Sequence, residues 1–241
     1  MVYAIHVKKS GLKWIIFTFP GIFILFAPGI VHSQDAFKSA DKIYGLDQTL
    51  CNGKKYNYFP PPGTSGHQYL FSPVYNKGCV TIRGKNYPGV SLNYDICNQQ
   101  LLLQYAGENG SLNVIEVSKA WLQGFQIGAL NFEYFTGDND PHFYQILGQG
   151  PLRILCYWWK NINLNVAIGT SNYIFSSPVR DTYLLINGKL KPYRSNRSMI
   201  RLFDSEHRSE IKSYLRKNKI KVNKSPDNVL EDMITFIGNI R

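Results

Sequence analysis

From Cys79 to about Tyr193, apolar side chains recur at every second position in short bursts, the period of a half-buried strand. Val80 and Ile82, then Val90, Leu92 and Tyr94, alternate with polar partners, and Leu101–Tyr105 is a compact apolar burst. Asn109-Gly110 punctuates before the run 113–117, and Leu130–Phe135, Phe143–Leu147 and Leu152–Trp159 follow. The clusters Thr136–Pro141 and Gly148–Pro151 separate them as turns. The clearest local signal is Tyr183-Leu184-Leu185-Ile186, Asn187-Gly188, Lys189-Leu190-Lys191-Pro192. Asn-Gly tolerates positive φ at both central positions, so the sequence predicts a two-residue type I′ hairpin. Short strands at this spacing predict a mainly β (α+β) fold: an antiparallel meander forming a curled or barrel-like sheet.

The period then changes. Asp204 or Ser205 can cap a helix with Ile211, Tyr214 and Leu215 on one face. Ser225-Pro226 starts a second helix, with Val229, Leu230, Met233, Ile234 and Ile237 as its apolar stripe and Gly238 as its stop. Two short amphipathic helices must bury those stripes, and the open face or mouth of the sheet is available. The β domain is therefore placed at 71–203 and a basic helical segment packed on it at 204–241.

Upstream, residues 34–70 carry turn and polyproline signals, Asn52-Gly53 and Pro60-Pro61-Pro62-Gly63, beside Tyr56, Tyr58 and Phe59. They predict an irregular strap tied down by its aromatics, or alternatively a loop that presents a ligand site. Ahead of it, Lys8, Lys9 and Lys13 precede an apolar run from Trp14 to Phe26. Val31-His32-Ser33 before Gln34 has small or β-branched residues at −3 and −1, which predicts a signal peptide over 1–33 cleaved after Ser33. An uncleaved anchor is the alternative. No second run approaches membrane-spanning length, so no transmembrane segment is expected after cleavage. Localisation is expected to be periplasmic or outer-membrane-associated, or secreted.

Charge sharpens the picture once it is located. The chain carries +11, and residues 180–224 hold thirteen Lys and Arg against four acids, a net of +9. In an exported protein such a segment points away from nucleic acid, toward an anionic membrane surface, lipopolysaccharide or an acidic envelope protein. Arg208, Lys212, Arg216, Lys217, Lys219 and Lys221 are the candidate contacts. A solvated helix that merely keeps the protein soluble is the plainer alternative.

Cys51, Cys79, Cys97 and Cys156 fit no zinc spacing and contain no C-x-x-C. If 80–87 and 90–96 formed a hairpin turning near Pro88-Gly89, Cys79 and Cys97 would face each other and could form a disulfide. A register turning at 95–99 instead puts Cys97 in a loop, leaving buried thiols.

The stretch Val80-Thr-Ile-Arg-Gly-Lys through Leu92-Asn-Tyr-Asp-Ile-Cys-Asn-Gln-Gln-Leu101 resembles a group of exported Bacteroidetes proteins of unknown function. So do Tyr183–Lys189, Ser198–Phe203 and Glu210-Ile-Lys-Ser-Tyr-Leu-Arg-Lys-Asn-Lys219. The likeness covers about two thirds of the chain after cleavage, and its motifs are strand, turn and basic helix. It implies a shared envelope-associated fold and carries over no catalytic or binding residue.

Candidate chemistry is sparse. His67, His142 and His207 have no histidine or cysteine at i+2, i+3 or i+4, and Ser65 sits outside any G-x-S-x-G. The sequence Asp138-Asn139-Asp140-Pro141-His142 offers alternating oxygens that could hold calcium, but the same residues make an ordinary turn. Trp121, Trp158 and Trp159 can be core, or an exposed ring could stack on a sugar or lie at a lipid interface. No catalytic residue, metal or cofactor is nominated. Two functions compete ahead of an enzyme: a non-enzymatic binding or structural envelope component with a basic docking segment, and a periplasmic carrier of a lipid or other apolar ligand in a hollow sheet.

Overall fold

In the computed structural model, residues 47–107, 109–136, 141–167 and 170–240 are described. The region identified from sequence as signal peptide, with its cleavage point, lies outside them, as do Asp138, Asn139 and Asp140. The described residues belong to one compact unit, Tyr44–Arg241.

Eleven strands form one antiparallel sheet. The strand β2 (Asn76–Ile82), fifth in the sheet order, leads by meander into β3 (Lys85–Asp95), β4 (Gln100–Ala106) and β5 (Leu112–Val117), and the short β1 (Gly53–Lys55) edges β5. The chain then returns to the other side of β2 as β6 (Leu122–Ile127) and continues through β7 (Leu130–Phe135), β8 (His142–Leu147) and β9 (Arg153–Trp159). A separate hairpin, β10 (Ile162–Ala167) and β11 (Thr170–Phe175), leaves the sheet here. The chain re-enters beside β9 as β12 (Val179–Ile186) and ends the sheet with β13 (Lys189–Pro192).

The mainly antiparallel β architecture read from sequence is correct. Asn187 and Gly188 take φ of 52° and 75°, and Ile186 pairs with Lys189, the expected two-residue type I′ geometry. The sheet is open, because β1 and β13 are both end strands. It is also strongly curled. Tyr94 on β3 and Phe143 on β8 are four strands apart, about 19 Å on a flat sheet at ~4.8 Å per strand. Their ring centroids nevertheless lie 6.4 Å apart, and Phe125 and Phe132 touch Tyr94 at 5.1 and 5.4 Å.

Of the two turns weighed from sequence, the one at 95–99 is formed, with Asp95 paired to Gln100, and the one near Pro88-Gly89 is not. The hairpin turns at Arg83-Gly84, both in the left-handed region (φ 51° and 77°). Gly89, at φ 73°, is instead the extra residue of a β-bulge, since Gly78 pairs with Val90 and Cys79 with Pro88. A bulge tolerates the proline that a regular ladder position would not. Cys79 therefore faces Pro88, while Cys97 sits in the turn after Asp95, and neither is in a disulfide. The Cys79–Cys97 bridge that one of the two registers allowed is not formed; the Cys79 thiol instead donates to Asn86 Oδ1 at 2.6 Å.

Three helices follow, not two. α1 (Asn196–Ile200) starts at a capping box in which Ser195 and Ser198 satisfy each other's backbone N–H. α2 (Ser205–Lys217) and α3 (Asp227–Asn239) bury Ile211 and Leu215, and Leu230, Met233, Ile234 and Ile237. These side chains, with Met199 and Val222, pack on Ile154, Cys156 and Leu184 of the sheet. Each fully buried aliphatic side chain contributes about 1.5–3 kcal/mol before entropy is counted. Tyr214 and Phe236 stack at 3.9 Å and fix α2 to α3. No helix among the described residues is long and apolar enough to cross a membrane.

Candidate docking surface

The six basic residues singled out from sequence lie on α2 and just beyond it. Arg208, Lys212 and Arg216 are four apart, so they form one stripe along the helix; Lys217 falls on the adjoining side. All six are exposed. None is in an ion pair among the described residues. Like charges spaced i, i+4 cost a few tenths of a kcal/mol per pair, so the stripe is held against its own repulsion.

Two of the six also build the scaffold. Arg208 Nε donates to the Phe203 carbonyl at 2.7 Å and its Nη2 to that of Arg201 at 3.1 Å, closing the corner between α1 and α2. Lys219 occupies the left-handed position (φ 53°) that ends α2. Its N–H reaches the Arg216 carbonyl, and the Ile220 N–H reaches that of Leu215, the paired bonds of a Schellman cap. Buried Ile220 and Leu215 complete it. Arg216 and Lys217 in the last turn, and Glu206 in the first, suit the helix dipole.

Sequence reasoning stopped the ridge at Arg208, but Arg194, Arg197 and Arg201 are exposed beside α1. They were counted in the basic segment yet not placed, because a five-residue helix gives too little periodicity to read. No large apolar side chain is strongly exposed anywhere on the three helices: the exposed ones described are Phe59, Phe71, Val74, Leu112, Leu164, Val166, Tyr173, Ile174 and Val179. The ridge is thus charged without an apolar wedge.

Two buried polar networks escaped the sequence reading. In the first, the carboxylate of Asp95, fully buried, accepts from the Tyr56 hydroxyl (2.7 Å), Asn98 Nδ2 (2.8 Å) and the N–H groups of Cys97 (2.9 Å) and Asn98 (2.8 Å). Beside it, Lys160 Nζ donates to the carbonyls of His67 (2.9 Å) and Tyr69 (2.8 Å). Burial holds the Lys160 ammonium below its usual pKa and, with the nearby Lys160 charge, the His67 imidazole below its own; it raises Tyr56 and Tyr69. Every strong partner here is strap or sheet, so the network fastens residues 56–70 to the curl. Asp95-Ile-Cys-Asn98 carried the one readable signal, an Asx turn.

In the second network, Gln145 donates to Asp227 at 2.6 Å and accepts from Trp158 Nε1 at 2.8 Å, and Arg180 pairs with the same Asp227. Asp227 opens α3, so this network anchors that helix on β8, β9 and β12. Trp159 Nε1 donates to Asp181 at 2.9 Å, and the Arg83 guanidinium lies 3.6 Å over the half-buried Trp121 ring. Trp121, Trp158 and Trp159 are each half-buried, engaged by the protein itself.

The remaining candidates are dispersed. Ser65 pairs through its backbone with Tyr173 and Phe175 of β11. His67 stacks on Tyr69, while His142 packs tilted against Tyr157, ring centroids 4.6 Å apart, on the face of β8 opposite Phe143. His207 lies in the first turn of α2 with Nε2 3.4 Å from Glu206. A depression of about 1200 Å³ lies where α3 meets the β8–β9 turn, lined by Glu133, Gln149, Arg153, Asn187 and Asp232 among others. It is an open surface cleft of mixed lining, with Ile146, Leu152 and Ile234 beside those polar groups. No family model, curated protein or solved structure matches this chain.

Proposed function

We propose that this is a non-enzymatic component of the cell envelope that docks through the basic ridge of α1 and α2 on an anionic surface, a membrane leaflet or lipopolysaccharide. The observation that carries the reading is the stripe Arg208–Lys212–Arg216, exposed and in no ion pair among the described residues, while the rest of the helix is well anchored. A concentrated positive field on a rigid helix attracts phosphates, and each basic residue near a charged leaflet contributes about 1 kcal/mol. A filled core, with Tyr94, Phe132, Phe143 and Leu92 fully buried inside the curl, favours docking over the carrier of an apolar ligand. The proposed export and envelope location follow from the N-terminal sequence and from the resemblance to exported Bacteroidetes proteins.

Co-sedimentation with vesicles containing anionic lipid tests this. Reversing Lys212, Arg216, Lys217 and Lys221 to Glu, with Arg208 and Lys219 kept because they shape the helix ends, removes at least about 4 kcal/mol, roughly a thousand-fold in affinity. Wild-type binding should also weaken steeply as salt rises. Binding that ignores both salt and charge reversal rejects the reading.

A further inference from the structure

Among the described residues, the open outer edges of β1, β13 and β10 are treated differently by the sequence. The end strand β1 is three residues long and carries Lys54 and Lys55; the end strand β13 carries Lys189, Lys191 and Pro192. Short length, lysine and proline are the devices by which sheets prevent further strands from adding. β10 has none of them. It is six residues long, Ile-Asn-Leu-Asn-Val-Ala, and residues 161–179 contain no charged side chain. Among the described residues no strand pairs with its outer side.

The hairpin's hydrogen bonding fixes what that edge offers. Ser65 bonds outward-facing groups of β11, its N–H donating to the Tyr173 carbonyl (2.8 Å) and its carbonyl accepting from the Phe175 N–H (3.0 Å). Tyr173 and Phe175 lie opposite Leu164 and Ile162. In an antiparallel ladder the inward and outward residues alternate in step across the pair. Asn163 and Asn165 therefore bond inward to β11, and Ile162, Leu164 and Val166 turn their N–H and C=O groups out. Leu164 and Val166 are 55 % and 71 % exposed, and their side chains share one face with Tyr173.

We propose that this edge pairs antiparallel with β10 of a second copy of the chain, about a two-fold axis at Leu164. That register sets Leu164 opposite its own copy and Ile162 opposite Val166, so each outward residue exchanges both backbone bonds with its partner. The pairing is self-complementary, as an isologous interface requires. On one face it joins leucine, isoleucine and valine; on the other it sets Asn163 against Asn165. With no charge from 161 to 179, two copies meet here without like-charge opposition, whereas the lysine-bearing edges β1 and β13 would repel their own copies.

Sedimentation equilibrium of the purified protein should give a molar mass that climbs toward twice the monomer value with concentration. The Leu164→Lys/Val166→Lys variant changes two exposed positions and should remain at the monomer mass, while Leu112→Lys, another exposed apolar site, should still double. A second variant is independent of that result. In the proposed register the two Leu164 Cα atoms lie ~5.5 Å apart, within disulfide range. Mild oxidation of Leu164→Cys should therefore give a dimer linked 164 to 164 by peptide mapping. A wild type that stays monomeric at every soluble concentration overturns the proposal. So does a dimer that survives the lysine pair, or crosslinking that never joins position 164 to itself.

Discussion

The hydroxyl of Tyr56 donates to the buried carboxylate of Asp95 at 2.7 Å, across thirty-nine residues of sequence. It is one link between the strap and the turn that ends β3, and removing it leaves the buried Asp95 carboxylate one donor short. Tyr56→Phe should destabilise the fold by about 1.5–3 kcal/mol, read as a lower urea midpoint. An unchanged midpoint would show that the strap is held without it.

Lys160 holds the same strap from the other side. Lys160→Met keeps the aliphatic stem but abandons two carbonyls, at a cost of about 2 kcal/mol or more. Hydrogen exchange should localise the effect. The Leu70 N–H, bonded to Tyr94 O, and the Ile96 N–H, bonded to Gln68 O, should lose protection first. Uniform loss across the sheet would instead mean that the strap and curl open as one unit.

At the end of α2, Lys219 pays for a left-handed backbone that glycine adopts without strain. Lys219→Gly should raise stability by about 1 kcal/mol in thermal or urea unfolding. It should weaken vesicle binding only by the loss of one charge. A destabilised variant would mean that the lysine side chain contributes more than its backbone costs.

Alkaline pH should destabilise the protein. Burial pushes the Cys156 thiol up to about 12 and raises the hydroxyls of Tyr56, Tyr94 and Tyr193. These groups stay protonated in the folded chain at a pH where the unfolded chain has released its protons. Their contribution is complete below the unfolded values, about 8.5 for cysteine and 10 for tyrosine, and is lost as pH climbs toward the folded ones. The urea midpoint should fall between about pH 9 and 11. A thiol reagent at neutral pH should modify Cys156 only on unfolding, and rapid modification in the native state would contradict its burial.

Much of the β architecture was legible because the strands alternate and their turns use few residue types. Asn187-Gly188 named its hairpin outright. Pro88-Gly89 misled for a physical reason: the same positive φ that makes a turn also makes a bulge, and the partner strand decides between them. The basic stripe was legible from spacing, but Arg208's grip on the carbonyls of Arg201 and Phe203, just past α1, was not, since α1 itself was too short to see. Asp95 and Lys160 were invisible as a cluster. Sixty-five residues separate them, and only the curl of the sheet brings the end of β9 to the turn after β3.

The excursion of β10 and β11 also bears on how the sheet is completed during folding. β9 carries Ile154, Leu155 and Cys156, all fully buried in the finished protein, and its second edge waits for β12 some twenty residues later. A slack segment of that length would pay loop-closure entropy and leave an apolar edge open to misassembly meanwhile. Because the intervening chain folds back on itself, Asn161 is already hydrogen-bonded to Ser176, and β12 begins three residues beyond. A distant pairing is thereby converted into a nearly local one, and the two halves of the C-terminal sheet can zip together from the root of the hairpin.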